Sequence, residues 1–193
     1  MLVLPQTTDI YRILSIDPGT ATTGVAILDL NLVTNTVDLI FVDTIKAGRG
    51  YRKFDHVEDV HGGREAKLQH HFWYISDILF RMQPNCVISE SPYMGRFAQA
   101  FEALVECLYV VKTAIMSYDP SMPLETIDPP NVKKAVGASG RGGDKDAVRK
   151  ALYNLKGLTN RTGISLDSLD EHSIDAIAVG CYKLRTISDD IIK

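Results

Sequence analysis

Apolar residues in this chain gather in short runs and stripes whose spacing predicts the elements. Ile13, Leu14 and Ile16 want burial, and the run stops at Asp17-Pro18-Gly19. Pro18 has no backbone N–H to give a ladder and Gly19 tolerates positive φ, so an extended segment ends there. Gly24 to Leu28 reads as the antiparallel return, and Thr36 to Lys46, rich in Val, Ile and Thr, as a third strand of a meander. Ala47 to Gly63 is polar and glycine-bearing, which predicts a long loop. Arg64 to Met82 carries Leu68, Phe72, Ile75, Ile78, Leu79 and Met82 at helical spacing, with His70 and His71 expected on the helix surface. Asn85 to Glu90 is a short, continuous apolar run, the pattern of a buried parallel strand. Arg96 to Tyr118 is a helix that is apolar nearly all round, which predicts burial on two sides.

The remainder alternates in the same way. Pro123 to Ile127 is a brief fifth strand, Asn131 to Val136 a short helix, and Gly137 to Gly143 a basic-flanked loop. That loop is not a phosphate-binding P-loop, because no Gly-Lys-Ser or Gly-Lys-Thr follows at the required spacing. Asp144 to Leu155 is a helix, Leu158 to Leu166 a connection, and Leu169 to Arg185 the last helix, with Ile174, Ile177, Ala178 and Cys181 facing the core. The fold class is therefore α/β, a five-stranded mixed sheet with helices on both faces. Its 193 residues suit one domain, with a core spanning about 10–187.

Composition narrows this frame. The chain is 45% hydrophobic and 23% charged, and no run of 18 apolar residues is present, so a membrane span is excluded. The N-terminal stretch has no basic region ahead of its apolar patch and is broken by Pro5, which argues against a signal peptide. Cys86, Cys107 and Cys181 are scattered without paired spacing and read as reduced core residues in a cytoplasmic setting. The net charge is −3, but between Asn131 and Arg161 eight cations face two acids, a local excess of +6. A basic stretch beside clustered acids suits a metal-dependent nuclease: one binds phosphates, the other cations.

The candidate chemistry lies where strands end. Asp17 closes the first strand and Glu90 the fourth, at the end where open α/β sheets bind ligands. An ionised carboxylate on a rigid central strand is costly to bury without a compensating cation. The bland alternative for Asp17 alone is a turn cap. On the last helix, His172 and Asp175 share a face at i, i+3, as do Glu171 and Asp175 at i, i+4.

Four stretches carry a resemblance: ILSIDPGTATTGVAIL, VISESPYMGR, NVKKAVGASGRGGDKDAV and HSIDAIAVG. In this order they resemble the RuvC-type Holliday-junction resolvases of the ribonuclease H-like superfamily, over nearly the whole chain. The resemblance implies that Asp17, Glu90, His172 and Asp175 bind two divalent ions, Mg²⁺ or Mn²⁺, with Glu171 as the substitute for His172. His172 departs from the commoner Asp at its place. An imidazole among carboxylates is compatible with Mn²⁺ tolerance. Two ions about 4 Å apart would activate water and stabilise the leaving 3′ oxygen, giving a 5′-phosphate and a 3′-hydroxyl. Lys133 and Lys145 match lysines that approach the scissile phosphate, and Lys145 is placed with the catalytic groups. Lys134, Arg141 and Arg96 complete the implied DNA contacts, with Tyr93 as an aromatic that stacks at the junction centre. The implied partners are a four-way DNA junction and a second copy of the chain, docked through the helix 96–118.

Three rivals remain at this stage. An actin-like or sugar-kinase ATPase shares the first hairpin but needs two large domains, more than 193 residues supply. A nuclease of flaps or replication forks would use the same fold and site. A non-catalytic junction-binding module would not need three clustered acids, which repel DNA unless a metal is bound.

Overall fold

The structure, a computed structural model, describes residues 9–48, 50, 56–95, 97–138 and 146–187. Three antiparallel strands begin it: β1 (Ile10–Asp17), β2 (Thr22–Asn31) and β3 (Thr36–Lys46). A short helix α1 (His56–His61) and the long α2 (Gly63–Met82) follow, then β4 (Cys86–Glu90). Next come α3 (Ala98–Tyr118), β5 (Leu124–Ile127), α4 (Pro129–Ala135) and α5 (Ala147–Asn154). The chain closes with β6 (Leu158–Asn160), a 3₁₀ turn at Leu166–Ser168 and α6 (Glu171–Ile187). The sheet order is β5-β4-β1-β2-β3-β6. β4 lies parallel to β1 and β5 parallel to β4, while β6 runs parallel to β3.

Because side chains alternate across a strand, each face of this sheet can be read from its sequence. Tyr11 and Ile13 of β1 pack with Ile174, Ile177 and Ala178 of α6, whereas Leu14 and Ile16 pack with Ile75, Ile78 and Leu79 of α2. α4, α5 and α6 thus cover one face, and α2 and α3 the other. α6 sits unusually low on the sheet at Gly180. A Cβ there would meet the Leu28 side chain at 2.3 Å and the Ser15 hydroxyl at 2.9 Å. At the far end of the sheet, Lys183 of α6 donates to both carboxylate oxygens of Glu125 on β5 at 2.7 Å. Arg12 joins strand and helix layers: it forks onto Asp29 at 2.7 Å and donates to the Met82 carbonyl at 2.8 Å.

Three expectations are corrected. The sheet has six strands, not five: Leu158–Asn160, read as a connection, pairs with Val37–Leu39. Three residues are too few to display an alternating pattern. The region read as loop contains α1, a helix with no buried residue and hence no apolar stripe to announce it. His71 is not on the surface but 2% exposed. Its spacing from Leu68 and Ile75 places it on the apolar side of α2. Within the chain α3 is buried on one side, through Cys107, Val111, Ala114 and Ile115, while Val105, Tyr109 and Met116 face outward. All three cysteines are buried and free, as expected. No helix among the described residues is long and apolar enough to cross a membrane.

Candidate active site

The alternation that builds the two faces also aims the acids. Odd positions of β1 face α6, so Asp17 continues the row of Tyr11 and Ile13. On β4, Cys86 and Ile88 face α6, so Glu90 does too. The parallel ladder pairs Ile16 with Ser89, which sets Asp17 and Glu90 side by side one residue beyond its last rung. Both stand at the carboxyl ends of central parallel strands.

The third contributor, α6, is brought to them by its own start. The Asp170 carboxylate accepts from the Ser173 amide at 2.9 Å and from the Thr44 hydroxyl at 2.6 Å, capping the helix and tying it to β3. Gly24, the β2 partner of Asp17, makes room for the approach. A Cβ at Gly24 would lie 1.9 Å from the His172 carbonyl oxygen. One turn of helix then puts His172 and Asp175 over the strand ends. His172 Nδ1 is 2.8 Å from the Asp17 carboxylate and Nε2 is 2.7 Å from the Thr22 hydroxyl. An ionised carboxylate only accepts, so Nδ1 carries the proton.

The electrostatics are those of mutually repelling, partly buried acids. Burial, then the charges of Asp17 and Asp175, pushes Glu90 up to about 8. Asp175 is pushed up to about 6, by burial first and by Asp17 next. The ammonium of Lys133 on α4 opposes both shifts, so this lysine lies within electrostatic reach of the two acids. The hydrogen bond to Asp17 holds the His172 imidazole above its ordinary range. The donor set, three carboxylates and an imidazole, fits a hard divalent ion, whose charge would restore ionisation of Glu90 and Asp175. Among the described residues no three such groups already stand together at metal-ligand spacing, so the acids are neighbours without forming a closed chelate. With both ring nitrogens of His172 hydrogen-bonded, the imidazole presents a lone pair to an ion only by exchanging one of those bonds.

Asp17, Glu90, His172 and Asp175 are therefore brought together, and Lys133 beside them. Glu171 is exposed in the first turn of α6. Lys134 is exposed on α4, and Tyr93 is 71% exposed on the connection that leaves Glu90. Lys145, Arg141 and Arg96 lie outside the described residues. Thr22, Gly24 and Asp170 escaped the sequence reading. Nothing local marks Thr22 or Gly24, whereas Asp170 immediately ahead of an apolar-periodic segment is a helix-cap signal that was legible.

No family model matches the sequence, and neither does any curated protein. Solved structures match it in fold. RuvC of Thermus thermophilus, in complex with a Holliday junction substrate, is similar with a TM-score of 0.64 at 16% identity, over 95% of this chain and 98% of that one. The yeast mitochondrial Holliday junction resolvase gives 0.63 at 10% identity, over 94% of this chain and 80% of that one. The fowlpox virus Holliday junction resolvase gives 0.56 at 14% identity, over 91% and 99%. The fold is the ribonuclease H-like α/β fold shared by RuvC and related Holliday junction resolvases.

Proposed function

We propose that this chain is a divalent-cation-dependent, structure-specific DNA endonuclease that resolves four-way junctions by paired nicks. The observation that carries the reading is the convergence of Asp17, Glu90 and Asp175, from two adjoining strand ends and a helix, beside Lys133. When bound by Asp17, Glu90, Asp175 and His172, two Mg²⁺ or Mn²⁺ ions would supply an activated water and charge stabilisation of the leaving 3′ oxygen, leaving 5′-phosphate and 3′-hydroxyl ends. The chain's own residues do the rest. His172 holds the Asp17 carboxylate in one orientation, and Thr22 holds His172. Lys133 neutralises the phosphate that enters an otherwise repulsive cleft. Tyr93, exposed at the mouth, offers a ring for an unpaired base. Lys134 would contact the backbone, and the family resemblance assigns the same role to Arg141 and Arg96 and a role at the scissile phosphate to Lys145.

Two symmetric cuts need two sites related by a two-fold axis. The outward face of α3 supports a homodimer: Val105 and Tyr109, with Leu68 and Phe72 of α2, line an open groove of about 640 Å³. With its cysteines reduced, the protein would work in a cytoplasmic compartment.

The test is a cleavage assay with Mg²⁺ or Mn²⁺ on labelled four-way junction, flap, fork and linear duplex, with Asp17→Asn as control. Paired symmetric nicks in the junction alone are expected. Asp17→Asn should abolish them while junction affinity stays within about threefold, because it removes a ligand and leaves the cations that bind phosphate. Comparable cutting of flaps and forks would replace the reading with a general branched-DNA nuclease. Tight junction binding without any cutting would leave only a binding module.

A further inference from the structure

The turn that follows Asp17 is held from the opposite side of the sheet. His71 of α2, 2% exposed, places Nε2 3.2 Å from the Thr20 carbonyl oxygen. Cys107 of α3, also 2% exposed, points its thiol at the neighbouring Gly19 carbonyl oxygen, 3.5 Å away. Inside the turn, the Thr23 hydroxyl donates to the same Gly19 oxygen at 2.7 Å. Two helices of the α2–α3 layer thus grip consecutive carbonyls of the segment between Asp17 and Thr22.

A carbonyl oxygen only accepts, so His71 carries its proton on Nε2, and Nδ1 is a bare lone pair. That Nδ1 is buried and has no hydrogen-bond partner among the described residues. For packing alone, histidine is a poor choice at this place in the Leu68–Ile75 stripe; leucine would fill it without an orphaned nitrogen. Burial lowers the ring to about 4, so it sits neutral and keeps this tautomer around neutral pH. Its one productive group is the Nε2–H aimed at Thr20.

We infer that His71 is a positioning residue for the metal-binding turn: through the Thr20 carbonyl, with Cys107 bracing Gly19 beside it, it fixes the segment that carries Asp17 at one end and the His172 partner Thr22 at the other. The inference rests on the nuclease reading for its purpose, but its physical content can be tested without DNA.

The experiment compares the native chain with His71→Leu and His71→Gln, whose amide N–H reaches the place of Nε2. Three quantities are read on metal-free or Mn²⁺-titrated protein: melting temperature in chelator, amide exchange at residues 19–23, and Mn²⁺ affinity by calorimetry. His71→Leu is expected to melt no lower than native, to exchange faster at 19–23, and to lose about 10-fold in Mn²⁺ affinity, the scale on which supporting shells act. His71→Gln is expected to return both to within about threefold of native. Native-like exchange and affinity in His71→Leu would overturn the inference, as would His71→Gln faring no better than His71→Leu. Should His71→Leu not fold, Cys107→Ala carries the test at the adjacent carbonyl: faster exchange at 19–23 supports the brace, and unchanged exchange overturns it. A native chain that binds Mn²⁺ yet cuts no branched DNA would sink the nuclease reading, while exchange and affinity would still judge the turn.

Discussion

Glu90→Gln should make the metal-free protein more stable. The Glu90 carboxyl is pushed up to about 8 from an ordinary 4.5. A carboxyl with a raised folded pKa binds more protons folded than unfolded. Between pH 4.5 and 8 it therefore lowers stability as pH rises, the reverse of a salt-bridged acid. At pH 7 the unfolded chain gains by ionising over some two and a half pH units and the folded chain scarcely at all. That sets a ceiling of about 3 kcal/mol on what a neutral isostere recovers. Water entry and side-chain rotation relieve part of the strain, so roughly 1–3 kcal/mol is expected. For a chain of this size that is a rise of roughly 3–10 °C in melting temperature. The assay is thermal unfolding in chelator from pH 5 to 9. Native stability should fall across that range, steepened by Asp175, raised to about 6, and by His172, whose raised pKa makes its own contribution fade as pH rises. The variant should show a shallower fall. Added Mn²⁺ should stabilise the native chain and have much less effect on Glu90→Gln. A variant that melts lower than native at pH 7 to 8 in chelator would refute the picture of repelling, half-buried acids.

Two further changes probe the frame. Gly24→Ala would force a methyl group to within 1.9 Å of the His172 carbonyl oxygen, so α6 must lift off the hairpin. A loss of about 1–3 kcal/mol is expected, together with weakened Mn²⁺ binding, and calorimetry with thermal unfolding would show both. Tyr109→Glu, on the outward face of α3, should leave the melting temperature of the subunit nearly unchanged. In sedimentation it should convert a dimer to monomer, and single uncoupled nicks should replace paired ones.

What could be read from the sequence depended on how many residues a feature repeats over. β3 matches its expected range because its eleven residues are rich in Val, Ile and Thr and hold no Gly or Pro. The β1 turn was legible because Asp17-Pro18-Gly19 can do little else, and the acids followed from strand ends. β6 and α1 left no such trace, one being three residues long and the other burying no residue. His71 is the instructive error. Its i+3 and i−4 relations to Leu68 and Ile75 put it on the apolar face, but residue type outweighed position. The two hydrogen bonds of His172 could not have been foreseen, since one comes from a strand 150 residues away.

The order in which the site is assembled has a consequence for synthesis. Asp17 needs β4 alongside it to meet Glu90, and neither meets Asp175 until α6 docks against Gly24 and, through its own Gly180, against Leu28 and Ser15. These pairings span most of the chain, and contacts so distant in sequence form late. A nascent polypeptide emerging amino end first can pair β1 with β4 before α6 is made, but Asp175 joins Asp17 and Glu90 only once α6 has emerged. The third acid and its neighbouring histidine thus arrive last, and the cluster comes into being only once α6 has been made.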